Sequence, residues 1–370
     1  MILGVSAEQE ELRASVRRFL ADRAPMSRVR ELMDGGETDW AVWEQAGTQL
    51  GLQGLAIPES YGGAGFSFAE QAVVLEEFGA VLYGGPYLAS AVLAATALLA
   101  SPDEGARRGL LPDIASGQTV ATLAFTEDGG SWDPAAIRLS AVKDGEAWRL
   151  DGHKSFVLDG ATAGLIVVVA ATDAGLSLFA VEGDADGLSR AALPALDQTR
   201  QLARLEFAGV TGRLIGSPGD GAAALDRALD VAAVALAAEQ LGGAQRALDM
   251  AVDYAKVRRQ FDRPIGSFQA IKHRCADLLL EVESLRSAVG YAAAAVAEDS
   301  AEIPVLASLV KAYASDTYFH VAAENIQIHG GIGFTWEHDA HLYFKRAKAS
   351  ELFLGDGAYH RERLATRIGL

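Results

Sequence analysis

Gln327-Ile328-His329-Gly330-Gly331-Ile332-Gly333-Phe334-Thr335-Trp336-Glu337 closes a long helical pattern with a cluster of glycines. Read alone, Gly-Gly-x-Gly is a tight turn. Working back from it, apolar residues recur at helical spacing in three runs. One opens with Pro304, well placed for a first helical turn, and continues through Leu306, Val310, Tyr313 and Thr317. Before it come Cys275, Leu278, Val282, Leu285 and Val289, and earlier Leu225, Leu229, Ala232, Leu236, Gly243, Ala247, Met250, Tyr254 and Val257. Such stripes predict an antiparallel bundle, and core packing accounts for nearly all of these residues.

Upstream the period changes. From Gln118 to about Ser217 short extended runs alternate with turns. Asp144-Gly145 is a hairpin signal, and Thr172 to Gly175 joins the runs Leu165–Ala171 and Leu176–Val181. With no helices between these runs and no G-x-G-x-x-G, a small barrel or sandwich is expected, not a dinucleotide-binding parallel sheet. The residues to about Gly117 read as helical. Ser6 and Gln9 fit a capping box ahead of Leu12, Val16, Phe19 and Leu20, whereas Pro58, Gly62, Gly63 and Gly65 predict a loop over Gly51 to Gly65.

Composition narrows the function. The chain has 370 residues, half of them hydrophobic, and a formal net charge of −17. It therefore lacks the basic surface that replaces phosphate counterions, which argues against nucleic acid and against anionic lipid. No apolar stretch is long enough for membrane insertion. Met1 to Glu11 has no secretory pattern, and the alanine-rich, methionine-poor composition fits a cytoplasmic bacterial protein. Cys275 is the only cysteine, and the histidines show no ligand spacing, so neither a disulfide nor a metal is expected.

Three motifs, in order, resemble acyl-CoA dehydrogenases. Gly54-Leu55-Ala56-Ile57-Pro58-Glu59-Ser60-Tyr61-Gly62-Gly63-Ala64-Gly65, followed by Glu76-Glu77-Phe78-Gly79, is similar to an N-terminal loop of that family. Arg258-Arg259-Gln260-Phe261-Asp262-Arg263-Pro264-Ile265-Gly266-Ser267-Phe268-Gln269 resembles its Arg-x-x-Phe-Gly-x-Pro-Ile-x-x-Phe-Gln segment. The Gly330-Gly331 stretch resembles its C-terminal cofactor motif. The likeness spans nearly the whole chain. It implies an α+β fold: an N-terminal α-helical domain (1–117), a small β-barrel middle domain (118–221) and an antiparallel four-helix bundle domain (222–370).

The resemblance implies FAD held between subunits of a tetramer. Arg258 would meet the pyrophosphate, since a guanidinium fork pairs with phosphate oxygens. Phe261 and Gln269 would line the adenine side, and Gln327, Gly330 and Gly331 the ADP moiety of a neighbouring subunit's FAD. Phe125 and Thr126 would reach the flavin pyrimidine edge, and Phe156 would take the aromatic place beside the ring. Leu158 stands where the family commonly has a threonine near flavin N5, and Trp132 stands at a serine position, unless the register slips by one onto Ser131.

The resemblance also implies an acyl-CoA substrate that loses an α-proton to a carboxylate as its β-hydrogen leaves as hydride to the flavin. The family's base is the Glu of a Glu-Gly pair; here the pair reads Leu354-Gly355. The alternative position used by some members is Ala232. Asp230, Glu239, Glu351 and Asp356 are the carboxylates nearby in sequence, with Asp356 the candidate to swing inward. The favoured expectation is a subunit without a base that works with a paralogous acyl-CoA dehydrogenase as an α2β2 assembly. The alternatives are a self-sufficient dehydrogenase with a relocated base, as a homotetramer, and a flavin-dependent oxidase or oxygenase on the same fold.

Overall fold

A computed structural model of the chain describes residues 6–35 and 38–370. Met1–Val5, where the expectation of a missing secretory leader begins, lie outside the described residues. The architecture is α+β, with helices at the N-terminal end, a β-barrel in the middle and helices at the C-terminal end. By packing, the chain divides into two compact units, neither contiguous in sequence.

One unit comprises the residues up to Met33, Phe68–Tyr83 and Ala233–Leu370. Its first helix, α1 (Ala7–Arg23), starts at the expected capping box: Ser6 Oγ accepts from the Gln9 N–H, and the Gln9 side chain returns a bond to the Ser6 N–H. Helices α2 (Met26–Gly35) and α3 (Trp40–Leu50) follow, the latter in the second unit, and then α4 (Phe68–Ala80). Arg13 and Arg17 of α1 pair with Glu76 and Glu77 of α4 at 2.9 and 2.8 Å.

α4 crosses the long helix that starts the C-terminal region (Gly221–Val257) at a reciprocal pair of glycines. A Cβ on Gly79 would lie 1.9 Å from the Glu239 carbonyl oxygen, and one on Gly242 would lie 1.8 Å from that of Glu76. The backbones touch because neither position has a side chain. Gly242→Ala is therefore expected to force the helices apart and destabilise the protein by about 3 kcal/mol. Thermal unfolding of this variant within a degree of the wild type would show that the crossing is not tight.

The second unit, residues to Ser67 after Asp34 and then Gly84–Ala232, holds the barrel. It begins with two short 3-10 turns (Leu52–Gly54 and Glu59–Tyr61) inside the expected loop. A fully buried π-helical stretch, Leu88–Ala94, then runs into α5 (Ala95–Ala100) and α6 (Glu104–Ala115). The strands are β1 (Ala121–Ala124), β2 (Ser140–Asp144), β3 (Ala147–Leu158), β4 (Leu165–Thr172), β5 (Gly175–Glu182), β6 (Leu188–Leu193) and β7 (Leu202–Ile215). β4, β2, β3, β7 and β5 close into a ring through the β4–β5 ladder. β1 adds to β4 in parallel and β6 to β7 in antiparallel. The β2–β3 hairpin turns at Gly145, with φ of 63°, where the Asp-Gly signal predicts it.

The long helix noted above is α7. After it come α8 (Gln269–Ala297), α9 (Ile303–His329), α10 (Ala340–Leu352) and α11 (Gly357–Arg367). α9 packs against α8, α10 and α11. Pro304 occupies the first turn of α9, as its fixed φ and missing N–H favour. Among the described residues no helix is long and apolar enough to cross a membrane, and no cluster of His, Cys, Asp and Glu could hold a metal.

Candidate functional site

In the barrel unit, Phe125 and Thr126 follow directly on β1 and are buried. They are stitched to β3: the Ser155 N–H donates to Thr126 O at 2.9 Å, and the Lys154 ammonium donates to Phe125 O and to Glu127 Oε1, both at 3.0 Å. Burial pushes the Lys154 amine down to about 8, against the opposing pull of Glu127. Burial also raises the Glu127 carboxyl. The Leu139 and Arg138 N–H groups and Lys154 outweigh it, so the group ends below its ordinary range.

Asp128 is held by Arg204, then by Ser155 and His153, which draw its carboxyl to about 2. Trp132 packs its ring against Phe125 at 5.9 Å, and Ser131 Oγ accepts from the Asp133 N–H.

Two features of this region bear on a ligand. Thr126 Oγ1 is buried and has no hydrogen-bond partner among the described residues. A buried hydroxyl without a partner costs free energy, so an external polar edge that meets it would be favoured. Phe156 lies in a break of the β3–β7 register, has a left-handed backbone, φ 57°, and is half-buried. Leu158 is buried, and its carbonyl accepts from Thr122 Oγ1 at 2.6 Å.

The helical unit carries the remaining expected residues, and they lie at its surface. Arg258 follows the end of α7 and is exposed; its N–H donates to Tyr254 O and its carbonyl accepts from the Ile265 N–H. The next residues form a two-strand hairpin, β8 (Arg259–Gln260) and β9 (Arg263–Pro264). Both its central residues, Phe261 and Asp262, are left-handed, as a tight mirror-image turn requires. Phe261 is 86% exposed at the tip. Gln269 is exposed at the start of α8, as is Gln327 near the end of α9.

Gly330, with φ of 65°, terminates α9. A Cβ on Gly330 or Gly331 would meet nothing within 4 Å among the described residues, so packing within the chain does not exclude a side chain at Gly331. Ile332, Phe334 and Trp336 beside them are exposed, the last two by 80% and 60%. Open glycines, polar side chains and uncovered rings thus lie together at this end of α9.

The turn between α10 and α11 carries Leu354, which is 4% exposed and left-handed at φ 63°. Gly355, at φ 102°, has no room for a Cβ, which would fall 2.2 Å from the Tyr359 ring. Asp356, the carboxylate considered as a replacement base, is the N-cap of α11: its Oδ1 accepts from the Tyr359 N–H at 2.8 Å. Glu351 pairs with Lys348 at 3.0 Å. Glu239 lies in a buried ion pair with Arg346 of α10 at 2.9 Å. Asp230 and Ala232 are both buried.

The fully buried Lys311 of α9 donates to Glu351 O (3.1 Å), Gly355 O (2.9 Å) and Ser315 Oγ (2.9 Å). His360 Nε2 donates to Leu354 O at 3.0 Å. Sequence spacing does not single out these two residues, because their partners come from other elements.

Burial, then the charge of Lys311, pushes His360 down to about 3. The unfolded imidazole protonates near 6.5 and the folded one only near 3, so across that window the unfolded state binds more protons. Stability from this group is thus present above pH 6.5 and lost as pH falls toward 3. The wild type is expected to lose up to about 1.4 kcal/mol per pH unit relative to His360→Gln, which keeps a donor for Leu354 O. Parallel urea midpoints for the two proteins across this range would exclude a neutral, buried His360.

Sequence profiles for the acyl-CoA dehydrogenase N-terminal, middle and C-terminal domains match residues 6–118, 122–210 and 219–369. Over 363 residues the chain is 37% identical to the acyl-CoA dehydrogenase IpdE2 of Mycobacterium tuberculosis, covering 98% of this chain and 97% of that one. Its fold is similar to a chain of the ChsE4-ChsE5 complex from Mycobacterium tuberculosis, with a TM-score of 0.91, 30% identity and 100% and 99% of the two chains covered. It is also similar to a chain of the Tcur3481-Tcur3483 steroid ACAD, with a TM-score of 0.89, 34% identity and 99% and 98% covered. The chain belongs to the acyl-CoA dehydrogenase family, FAD-dependent oxidoreductases that act on acyl-CoA.

Proposed function

We propose that this chain is the subunit without a base in an α2β2 acyl-CoA dehydrogenase, and that a paralogous partner supplies the carboxylate that takes the substrate α-proton. The observation that carries the reading is Leu354, an aliphatic side chain buried on a left-handed turn where the family motif has Glu. Three of the four carboxylates nearby in sequence are engaged: Glu239 with Arg346, Glu351 with Lys348, and Asp356 at the α11 cap. Two similar solved structures are of paired chains, ChsE4-ChsE5 and Tcur3481-Tcur3483, which favours a partnered assembly.

FAD, when bound, supplies the two-electron acceptor for dehydrogenation. On this reading Thr126 Oγ1 bonds the polar edge of the flavin and the Phe156 ring lies beside it, with Phe125 shaping the strand end. Arg258 carries the pyrophosphate charge, Phe261 and Gln269 border the adenine, and Gln327, Gly330 and Gly331 serve the FAD held mainly by the neighbouring subunit. The exposed Phe334 and Trp336 are then covered by that subunit, which also excludes water from the diphosphate.

The test is reconstitution. A paralogue with Glu-Gly at the position of Leu354-Gly355 is co-expressed with the chain, and flavin reduction is followed with fatty acyl-CoAs and steroid side-chain acyl-CoAs. A positioned base contributes about 10²–10⁴-fold, so the chain alone is expected to be slower than the pair by at least the lower figure. Rapid reduction by the lone, FAD-loaded chain would overturn the proposal.

A further inference from the structure

We infer that Lys311 is a positioning residue for the side chain at 354: it sets both the direction and the electrostatic environment of a group there. This rests on reading 354 as the base position. The Lys311 Nζ bonds Glu351 O at the end of α10 and Gly355 O just past the turn, so its two carbonyl partners bracket Leu354. Its third bond, to Ser315 Oγ, anchors it within α9. Three acceptors around one nitrogen require three N–H donors, which only the ammonium has. His360 donates to Leu354 O between those two carbonyls in sequence, and Asp356 ties the start of α11 to the same turn.

A leucine needs none of this. A left-handed backbone costs about 1–2 kcal/mol in a residue with a Cβ, and an aliphatic side chain can be buried from an ordinary conformation. Burying an ammonium to hold two carbonyls adds a desolvation cost. The arrangement makes physical sense for a carboxylate. The turn aims it, and a fixed positive charge across the backbone favours its ionised form. The seat is complete although its occupant is leucine.

Two measurements test this, neither depending on turnover. First, Lys311→Met in the otherwise unchanged chain is expected to speed amide exchange at Gly355 and Tyr359 about tenfold or more, with α8 amides unaffected. Lys311→Gln, which keeps a donor without the charge, serves if the Met variant does not fold. Second, the carboxyl introduced by Leu354→Glu is titrated by carbon NMR with and without Lys311→Met. Loss of the ammonium is expected to raise its pKa by about one unit.

Unchanged exchange together with an unchanged carboxyl pKa overturns the role of Lys311, whatever the activity. The two expected shifts in a Leu354→Glu protein that still cannot reduce FAD would instead count against 354 as the base position and leave the role of Lys311 standing.

Discussion

Leu354→Glu, loaded with FAD and given an acyl-CoA, reduces its flavin at least about 10²-fold faster than the wild-type chain alone. The expectation follows from what surrounds the position. The backbone at 354 is already left-handed, Gly355 has the conformation and clearance that no other residue would tolerate, and both carbonyls are held. Glutamate is close to leucine in bulk, so the substitution changes chemistry more than packing. Its cost is desolvation of a carboxylate at a site that is 4% exposed, which lowers stability by about 1–3 kcal/mol. The gain is therefore read on folded, flavin-loaded protein by loss of oxidised-flavin absorbance. An FAD-loaded variant with no gain would move the defect elsewhere, and Leu158 is the first position to revert toward threonine. A gain in the isolated chain would show that every other part of its half-site is intact.

Much of the architecture is legible in the sequence because its signals are local. The Ser6–Gln9 box, the Asp144-Gly145 turn and Pro304 at the head of α9 each act through near neighbours, and each sits in the structure where that chemistry puts it. The stretch Leu88–Ala94 is not legible: buried on all sides, it has no amphipathic period to reveal a helix, still less a π-helical one. β1 is four residues long and wholly buried, which leaves no alternation to read.

The site divides in the same way. Motifs locate Arg258, Gly330 and Leu354, but the left-handed backbones of Phe156, Phe261 and Leu354 are set by bulges and turns that no residue preference announces. The missing partner of Thr126 Oγ1, the packing of Trp132 on Phe125 and the Lys311–His360 clamp all join elements far apart in sequence. Spacing cannot report them.

Arg346→Met costs about 3–5 kcal/mol, the largest loss of stability expected from any single substitution considered for this chain. Arg346 and Glu239 are 2% and 8% exposed at their side chains, and the guanidinium meets the carboxylate at 2.9 Å. The pair itself adds little net stability, because desolvating two ions offsets most of their attraction. Removing the cation alone is different, since it takes the paired positive charge away from a buried carboxylate.

The double variant Arg346→Met/Glu239→Leu is accordingly expected to recover most of the loss, and urea denaturation of both proteins separates the pairwise contribution from simple repacking. The same ion pair bears on catalysis. Wild-type Glu239 is paired with Arg346, so on the proposed reading Glu239→Gln should leave flavin reduction by the partnered enzyme within about threefold of the wild type. A collapse of reduction in a folded, FAD-loaded Glu239→Gln protein would make Glu239 the relocated base and return the chain to self-sufficiency.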